Sequence, residues 1–235
     1  MKNKIITINN ILIEYFGIPK RNKKNPDPVD MLIGTILSQN TNDKNSYRAY
    51  QNLKAKYKNW GEVAELPLIK INKAIKVAGL AKQKSKSIKN VLNGLKKNGE
   101  ISLKYLKKLD DKSVLNELTK FKGVGIKTAA CVLLFSMKRN ICPVDTHVHR
   151  TLNRIGLVST KSPDKTFNEL IGNIPDGIAH SFHTNLIRLG REICKSLKPN
   201  CAVCPLLKNC NFEHKNFVTK STYKKNEFML LDNIN

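Results

Sequence analysis

Four cysteines, Cys194, Cys201, Cys204 and Cys210, fall in one short stretch with the spacing C-x6-C-x2-C-x5-C. Four thiolates on a single tight loop can hold a metal ion or an iron–sulfur cluster with little help from the rest of a fold. Disulfides fit less well, because they persist in exported chains and nothing else in this sequence looks secreted. Zinc is the structural alternative. Zinc ribbons pair two short knuckles across a longer gap, and only Cys201 and Cys204 make such a knuckle here. Graded spacings followed by a proline, here Cys204–Pro205, suit a [4Fe–4S] cubane whose ligands wrap around it. Lys195, Lys198 and Lys208 lie among the cysteines, so the loop presents cations whatever it binds.

A second set of residues lies in LTKFKGVGIKTAACVLLF, from Leu118 to Phe135. The pattern predicts a short helix running into Gly123-Val124-Gly125 and a second helix starting near Ile126. Two glycines let the backbone turn tightly and approach a partner without Cβ interference. The first amides of the second helix have no intrahelical acceptor and can bind an anion such as a DNA phosphate. A plain helix connector is the bland reading of the same turn. Lys127 follows at once. It is an ordinary surface lysine or, at the positive end of a helix and partly buried, an amine nucleophile. Farther on, Pro143-Val144-Asp145-Thr146-His147 places Asp145 as the N-cap of a helix from Thr146 to Ile155. A capping carboxylate is also held rigidly, as a catalytic group must be.

The elements that must position these groups are helical. Asp27 and Pro28 stand as N-cap and first helical residue before Met31, Leu32, Ile36 and Leu37. Tyr50, Leu53 and Tyr57 continue at helical spacing. Ile88, Val91, Leu92 and Leu95 form another stripe, closed by Gly99. Ser162 and Pro163 open a helix expected to carry Phe167, Leu170, Ile171 and Ile174. Ile178 to Cys194 presents Phe182, Leu186, Leu189 and Ile193 on one side. No alternating stretch is long enough for a strand, so the expected class is all-α, with roughly ten short helices.

The chain has 235 residues, 40% of them hydrophobic, enough for a core. No run approaches the roughly 18 apolar residues of a membrane span. The stretch Met1 to Gly17 lacks the marks of a signal peptide, and a cytoplasmic, nucleoid-associated protein is expected. Forty-two basic against 18 acidic residues give a net charge of +24. That favours a polyanionic partner, nucleic acid first, although a lysine-rich genome would also raise the count.

Taken in order, GVGIKTA with its lysine, VDTH, and the complete cysteine array resemble the endonuclease III family of helix–hairpin–helix DNA glycosylases. Ile36-Leu37-Ser38-Gln39-Asn40-Thr41 is similar to that family's strand-wedging loop, and Ala78-Gly79-Leu80 to its second intercalating loop. The resemblance runs from about residue 28 to 212. It implies two helical lobes with DNA in the cleft between them. A helical-barrel lobe would span residues 28–138 and a cluster lobe residues 1–27 with 139–214, followed by an extension over 215–235. It also implies removal of an oxidised pyrimidine and β-elimination at the abasic site, with Lys127 as nucleophile and Asp145 assisting base departure. Gln39 or Asn40, with Leu80, would fill the stack; Gly123, Val124 and Gly125, with Lys195 and Lys198, would hold phosphate. Cys194, Cys201, Cys204 and Cys210 would ligate a structural [4Fe–4S] cluster. The implied partner is double-stranded DNA containing damaged bases or abasic sites, bound by a monomer, with no membrane.

Two rivals remain open. Adenine-mismatch relatives carry serine at the position of Lys127 and a glutamate near Thr35, and thymine-mismatch relatives typically carry tyrosine in place of the lysine; this chain has none of these. A catalytically silent iron–sulfur DNA-binding protein would have no need of both Lys127 and Asp145. Cys131 and Cys142 are expected to be buried thiols, and His147 and His149 structural.

Overall fold

The computed structural model describes residues 1–21, 24–97 and 99–218, and among them the regular structure is helical with no strand. The chain divides into two compact units: Met1–Arg21 with the described residues from Asn140 onward, and the described residues up to Arg139 that lie between. The first unit opens with α1 (Lys2–Phe16). The second holds α2 (Pro28–Ser38), α3 (Asp43–Lys56), α4 (Trp60–Glu65), α5 (Leu68–Ile75), α6 (Ala81–Lys97), α7 (Asp111–Thr119) and α8 (Ile126–Cys131). The chain then returns to the first unit with α9 (Thr146–Arg154), α10 (Pro163–Leu170) and α11 (Ala179–Glu192). The apolar residues Phe228 to Leu231 lie outside the described residues.

The second unit is built around α2. Asp27 caps it, Oδ1 accepting from the Val29 amide at 2.8 Å, and Pro28 supplies a preset first-turn φ. Nearly every residue beyond that point is buried, with Met31, Leu32, Ile33, Ile36 and Leu37 all at 0% exposure. A helix that is apolar all round has no solvent face and becomes the centre of its unit. Around it α6 contributes Ile88, Val91, Leu92 and Leu95, also fully buried. Cys131 is buried too, at the end of α8, which widens into one π-helical turn over Val132–Ser136.

In the first unit the central helix is α11, with Phe182, Leu186 and Leu189 buried as their spacing predicts. Its partner α1 has no counterpart in the sequence-based assignment, although Ile5, Ile8, Leu12 and Phe16 recur at helical spacing and are buried. Polar pairs fix the two helices in register: Ser181 Oγ donates to Asn9 Oδ1 at 2.9 Å and Asn185 Nδ2 to the Gly17 carbonyl at 3.2 Å. The Arg188 guanidinium lies over the Phe16 ring at 4.9 Å. The helix opened by Ser162 and Pro163 is shorter than expected. It ends at Leu170, and Ile171 and Ile174 fall beyond it. Gly172 at φ 73° supplies the left-handed residue that ends it.

Helices α9 and α11 approach so closely that Gly190 is required. A Cβ there would stand 2.8 Å from the His147 Cβ and 3.3 Å from the His147 carbonyl oxygen. Gly190→Ala should therefore lower stability by about 1–3 kcal/mol through overpacking, read as a lower denaturation midpoint.

Candidate functional site

The predicted site residues are distributed over both units. On the second, α7 leads through Phe121 to Gly123, and α8 begins at Ile126 with Gly125 as its N-cap and no side-chain cap. The two glycines have different causes. Gly123 sits at φ +98°, and a Cβ there would come 2.1 Å from Ser87 Oγ on α6. Gly125 sits at an ordinary φ of −93°, and a Cβ added there would meet nothing within 4 Å. Packing thus explains the first glycine, while the second leaves an open surface beside uncapped helix amides. Buried Val124 anchors the turn between them. Lys127 is half-buried in the first turn of α8.

Gln39 and Asn40 follow α2. Gln39 Nε2 donates to the Gly123 carbonyl and to Thr128 Oγ1, each at 3.4 Å. Asn40 is exposed, with φ 49°. Leu80 has φ 47° and is 52% exposed, next to Gly79 at φ 67°. Two non-glycine residues in the left-handed region, one of them an exposed leucine, are costly local choices.

On the first unit, Asp145 caps α9 as expected. Its Oδ1 accepts from the His147 amide at 2.9 Å and the Val148 amide at 2.8 Å. The residues before it are held by buried His183, whose Nδ1 lies 2.8 Å from the Pro143 carbonyl. Burial lowers the pKa of His147 below the ordinary histidine value. A neutral ring can then accept the Arg150 Nη2 hydrogen at Nδ1, 3.2 Å away. The Arg150 guanidinium also donates to the Gly190 carbonyl at 2.8 Å and, through Nε and Nη2, to the Cys194 carbonyl at 3.0 and 2.9 Å. His149 Nδ1 pairs with Thr166 Oγ1 at 2.7 Å, a contact within the fold.

Arg154, at the end of α9, governs the cysteine loop. Its Nη1 donates to the Lys195 carbonyl at 2.7 Å and lies 3.5 Å from Cys194 Sγ; Nη2 donates to the Ser196 carbonyl at 3.0 Å. Phe212 stacks beneath it at 4.2 Å. Cys194, Cys201, Cys204 and Cys210 line one small cavity with Ile193, Pro199, Leu207 and Phe212. Burial, reinforced by the other three cysteines, pushes the Cys204 thiol up to about 12. The Cys204 thiol is therefore held protonated until a strong positive charge offsets that burial. The Asn216 amide, 3.3 Å from Cys201 Sγ, adds a second N–H···S contact. Among the described residues no group of three or more His, Cys, Asp or Glu is arranged for a single metal ion. Four thiols around one cavity are the donor set that an iron–sulfur cluster takes. Lys195, Lys198 and Lys208 are exposed on this loop, Lys198 at φ 48°.

A family model described as the HhH-GPD superfamily base excision DNA repair protein matches residues 33–175. Endonuclease III of Thermotoga maritima is 36% identical over 192 residues, covering 82% of this chain and 86% of that protein. The chain belongs to the endonuclease III family of the HhH-GPD superfamily. A protein of Arabidopsis thaliana provisionally named a DNA glycosylase is 40% identical over 176 residues, spanning 74% of this chain and 60% of that protein's length. Among solved structures, a trapped endonuclease III–DNA covalent intermediate superposes with a TM-score of 0.75 at 28% identity, covering 90% of this chain and 96% of the other. In this endonuclease III-like chain the α7–turn–α8 segment lies within the residues that the family model matches. No described helix is long and apolar enough to cross a membrane.

Arg150, Arg154 and His183 were not singled out by the sequence. The only available signal was the i, i+4 pair of arginines on the helix that Asp145 caps. The two glycines can be separated by experiment. Gly123→Ala should cost about 1–3 kcal/mol through strain and overpacking, whereas Gly125→Ala should cost less than about 1 kcal/mol, as compared by denaturation of both variants.

Proposed function

We propose that this chain is a bifunctional DNA glycosylase and abasic-site lyase that removes oxidised pyrimidines from duplex DNA. The single observation that carries the reading is Lys127, half-buried in the first turn of α8 directly after the glycine turn. A hydrolytic glycosylase needs no amine at that point. The endonuclease III relative captured as a covalent intermediate with DNA supports the same chemistry.

In this reading the damaged nucleotide is turned out of the duplex. The Lys127 amine attacks C1′, and the bond from C1′ to the base breaks, the base leaving with the electron pair. The amine gives up a proton, the sugar ring opens, and an imine links Lys127 to the sugar. Removal of a C2′ proton then expels the 3′ phosphate by β-elimination. Asp145, held by two backbone amides, would assist base departure and move these protons. Uncapped amides after Gly123, Val124 and Gly125 would hold a phosphate, with Lys195 and Lys198 adding contacts from the cysteine loop. Leu80 would enter the stack, together with Asn40, because Gln39 is tied inward to the hairpin turn. The helical-barrel lobe would thus carry Lys127 and both wedges, and the cluster lobe Asp145 and the cysteines.

Cys194, Cys201, Cys204 and Cys210 would hold a [4Fe–4S] cluster, whose contribution would be to fold the loop that carries Lys195 and Lys198. Anaerobically purified protein should contain about four irons per chain and be brown; stoichiometric zinc from iron-replete cells would refute this.

The reaction is tested by borohydride, which reduces an imine to a permanent crosslink. The native chain should be trapped on a duplex bearing thymine glycol. Lys127→Gln should bind that duplex yet lose both the crosslink and the strand cut. Asp145→Asn should slow base removal by about 10²-fold or more while retaining binding. Native-rate crosslinking by Lys127→Gln would place the nucleophile elsewhere.

A further inference from the structure

Lys84, on the first turn of α6, is 1% exposed and belongs to the largest fully buried side chains of the protein. It faces carbonyls where a buried cation ordinarily finds a carboxylate. Its ammonium donates to the Leu37 carbonyl at 2.8 Å and to the Ala78 carbonyl at 2.7 Å. Burial pushes its pKa down to about 8, so the side chain remains cationic at neutral pH. Methionine would fill similar space without the desolvation cost. The positive end of α6 opposes a cation there as well. Core packing alone therefore does not account for a lysine at this position.

The two acceptors do account for it. Leu37 lies in the last turn of α2, and Ala78 closes a 3-10 turn, Lys76–Ala78. Carbonyls at helix ends lack intrahelical donors and carry the negative end of the dipole. Each also stands at the stem of a segment that leaves helical geometry. Gln39 to Thr41 follows the last helical residue, Ser38, and contains exposed Asn40 at φ 49°; Gly79 and Leu80 follow Ala78, with Leu80 at φ 47°. Strained residues of this kind persist only where their surroundings over-determine them. The Lys84 amide closes the circle by donating to the Leu80 carbonyl at 3.0 Å. One residue thus holds both loop stems, whose acceptor oxygens can be no farther apart than its two hydrogen bonds laid end to end.

We propose that Lys84 is a positioning residue for DNA distortion: its ammonium fixes the spacing of the two loops so that Asn40 and Leu80 enter the base stack as a matched pair. The proposal rests on the reading above that these loops enter the stack. Lys84 itself touches neither the sugar nor the base.

The test uses the full chain and a duplex carrying 2-aminopurine beside a tetrahydrofuran abasic analogue, where unstacking raises fluorescence. Affinity for an undamaged duplex is measured alongside. Lys84→Met should reduce the unstacking equilibrium about tenfold while undamaged-duplex affinity stays within about twofold, and a double variant with Leu80→Ala should be no worse than Leu80→Ala alone, because both act through one loop. Additive losses, or native unstacking by Lys84→Met, would overturn the proposal. A native chain that produces no fluorescence rise would overturn the stack-entry reading itself, and the positioning role with it. If Lys84→Met fails to fold by circular dichroism, Lys84→Gln, which keeps two N–H donors without the charge, enters the same cycle under the same criteria.

Discussion

A loop that brings four cysteines to one cavity leaves some of its own carbonyls without backbone donors, and in this protein the arginines of α9 supply them. Arg150 takes the Cys194 carbonyl, and Arg154 takes those of Lys195 and Ser196. Without these donors the half-buried Cys194 carbonyl would stand unpaired, at a cost of about 1–3 kcal/mol, while the exposed carbonyls of Lys195 and Ser196 would turn to solvent. The same helix is capped at its other end by Asp145. Over nine residues it is a rigid spacer of about 13 Å. The carboxylate and the cysteine loop are therefore set by one element, and the close contact at Gly190 seats that element on α11.

The second unit uses the same device. Lys84 holds the Leu37 and Ala78 carbonyls, Lys89 holds those of Ala64 and Leu66, and Arg139 donates to Lys107 and Leu109. Cations here stabilise helix ends and irregular turns by donating to carbonyls that have no intrahelical partner. This changes the meaning of the +24 charge. Part of it is internal scaffolding, and only the exposed remainder, including Lys195, Lys198 and Lys208, is available to a polyanion.

What the sequence disclosed follows from this division. Caps are local, so Asp27 with Pro28, Ser162 with Pro163, and Asp145 marked their helices correctly. The glycine turn and the cysteine array are also local, and their joint order carried the family resemblance. Helix α1 escaped because Asn3, Thr7, Asn9 and Asn10 dilute an otherwise periodic apolar face. The far end of α10 was overextended because Ile171 and Ile174 continue the apolar spacing past the helix that Gly172 ends. Lys84, Arg150 and Arg154 could not be picked out of 42 cations. Which cation is buried depends on which carbonyls tertiary packing leaves unsatisfied, and spacing does not encode that.

The pairing of α1 with α11 joins residues as much as 172 positions apart. The described residues of the second unit all lie between these partners. During synthesis α1 leaves the ribosome long before α11 exists, an interval of roughly 9 to 34 s at ordinary elongation rates. Throughout it the face made by Ile5, Ile8, Leu12 and Phe16 lacks the α11 surface that covers it in the folded unit. Helix α1 thus waits for a partner encoded far downstream, and that wait is an interval in which its apolar face is open to aggregation.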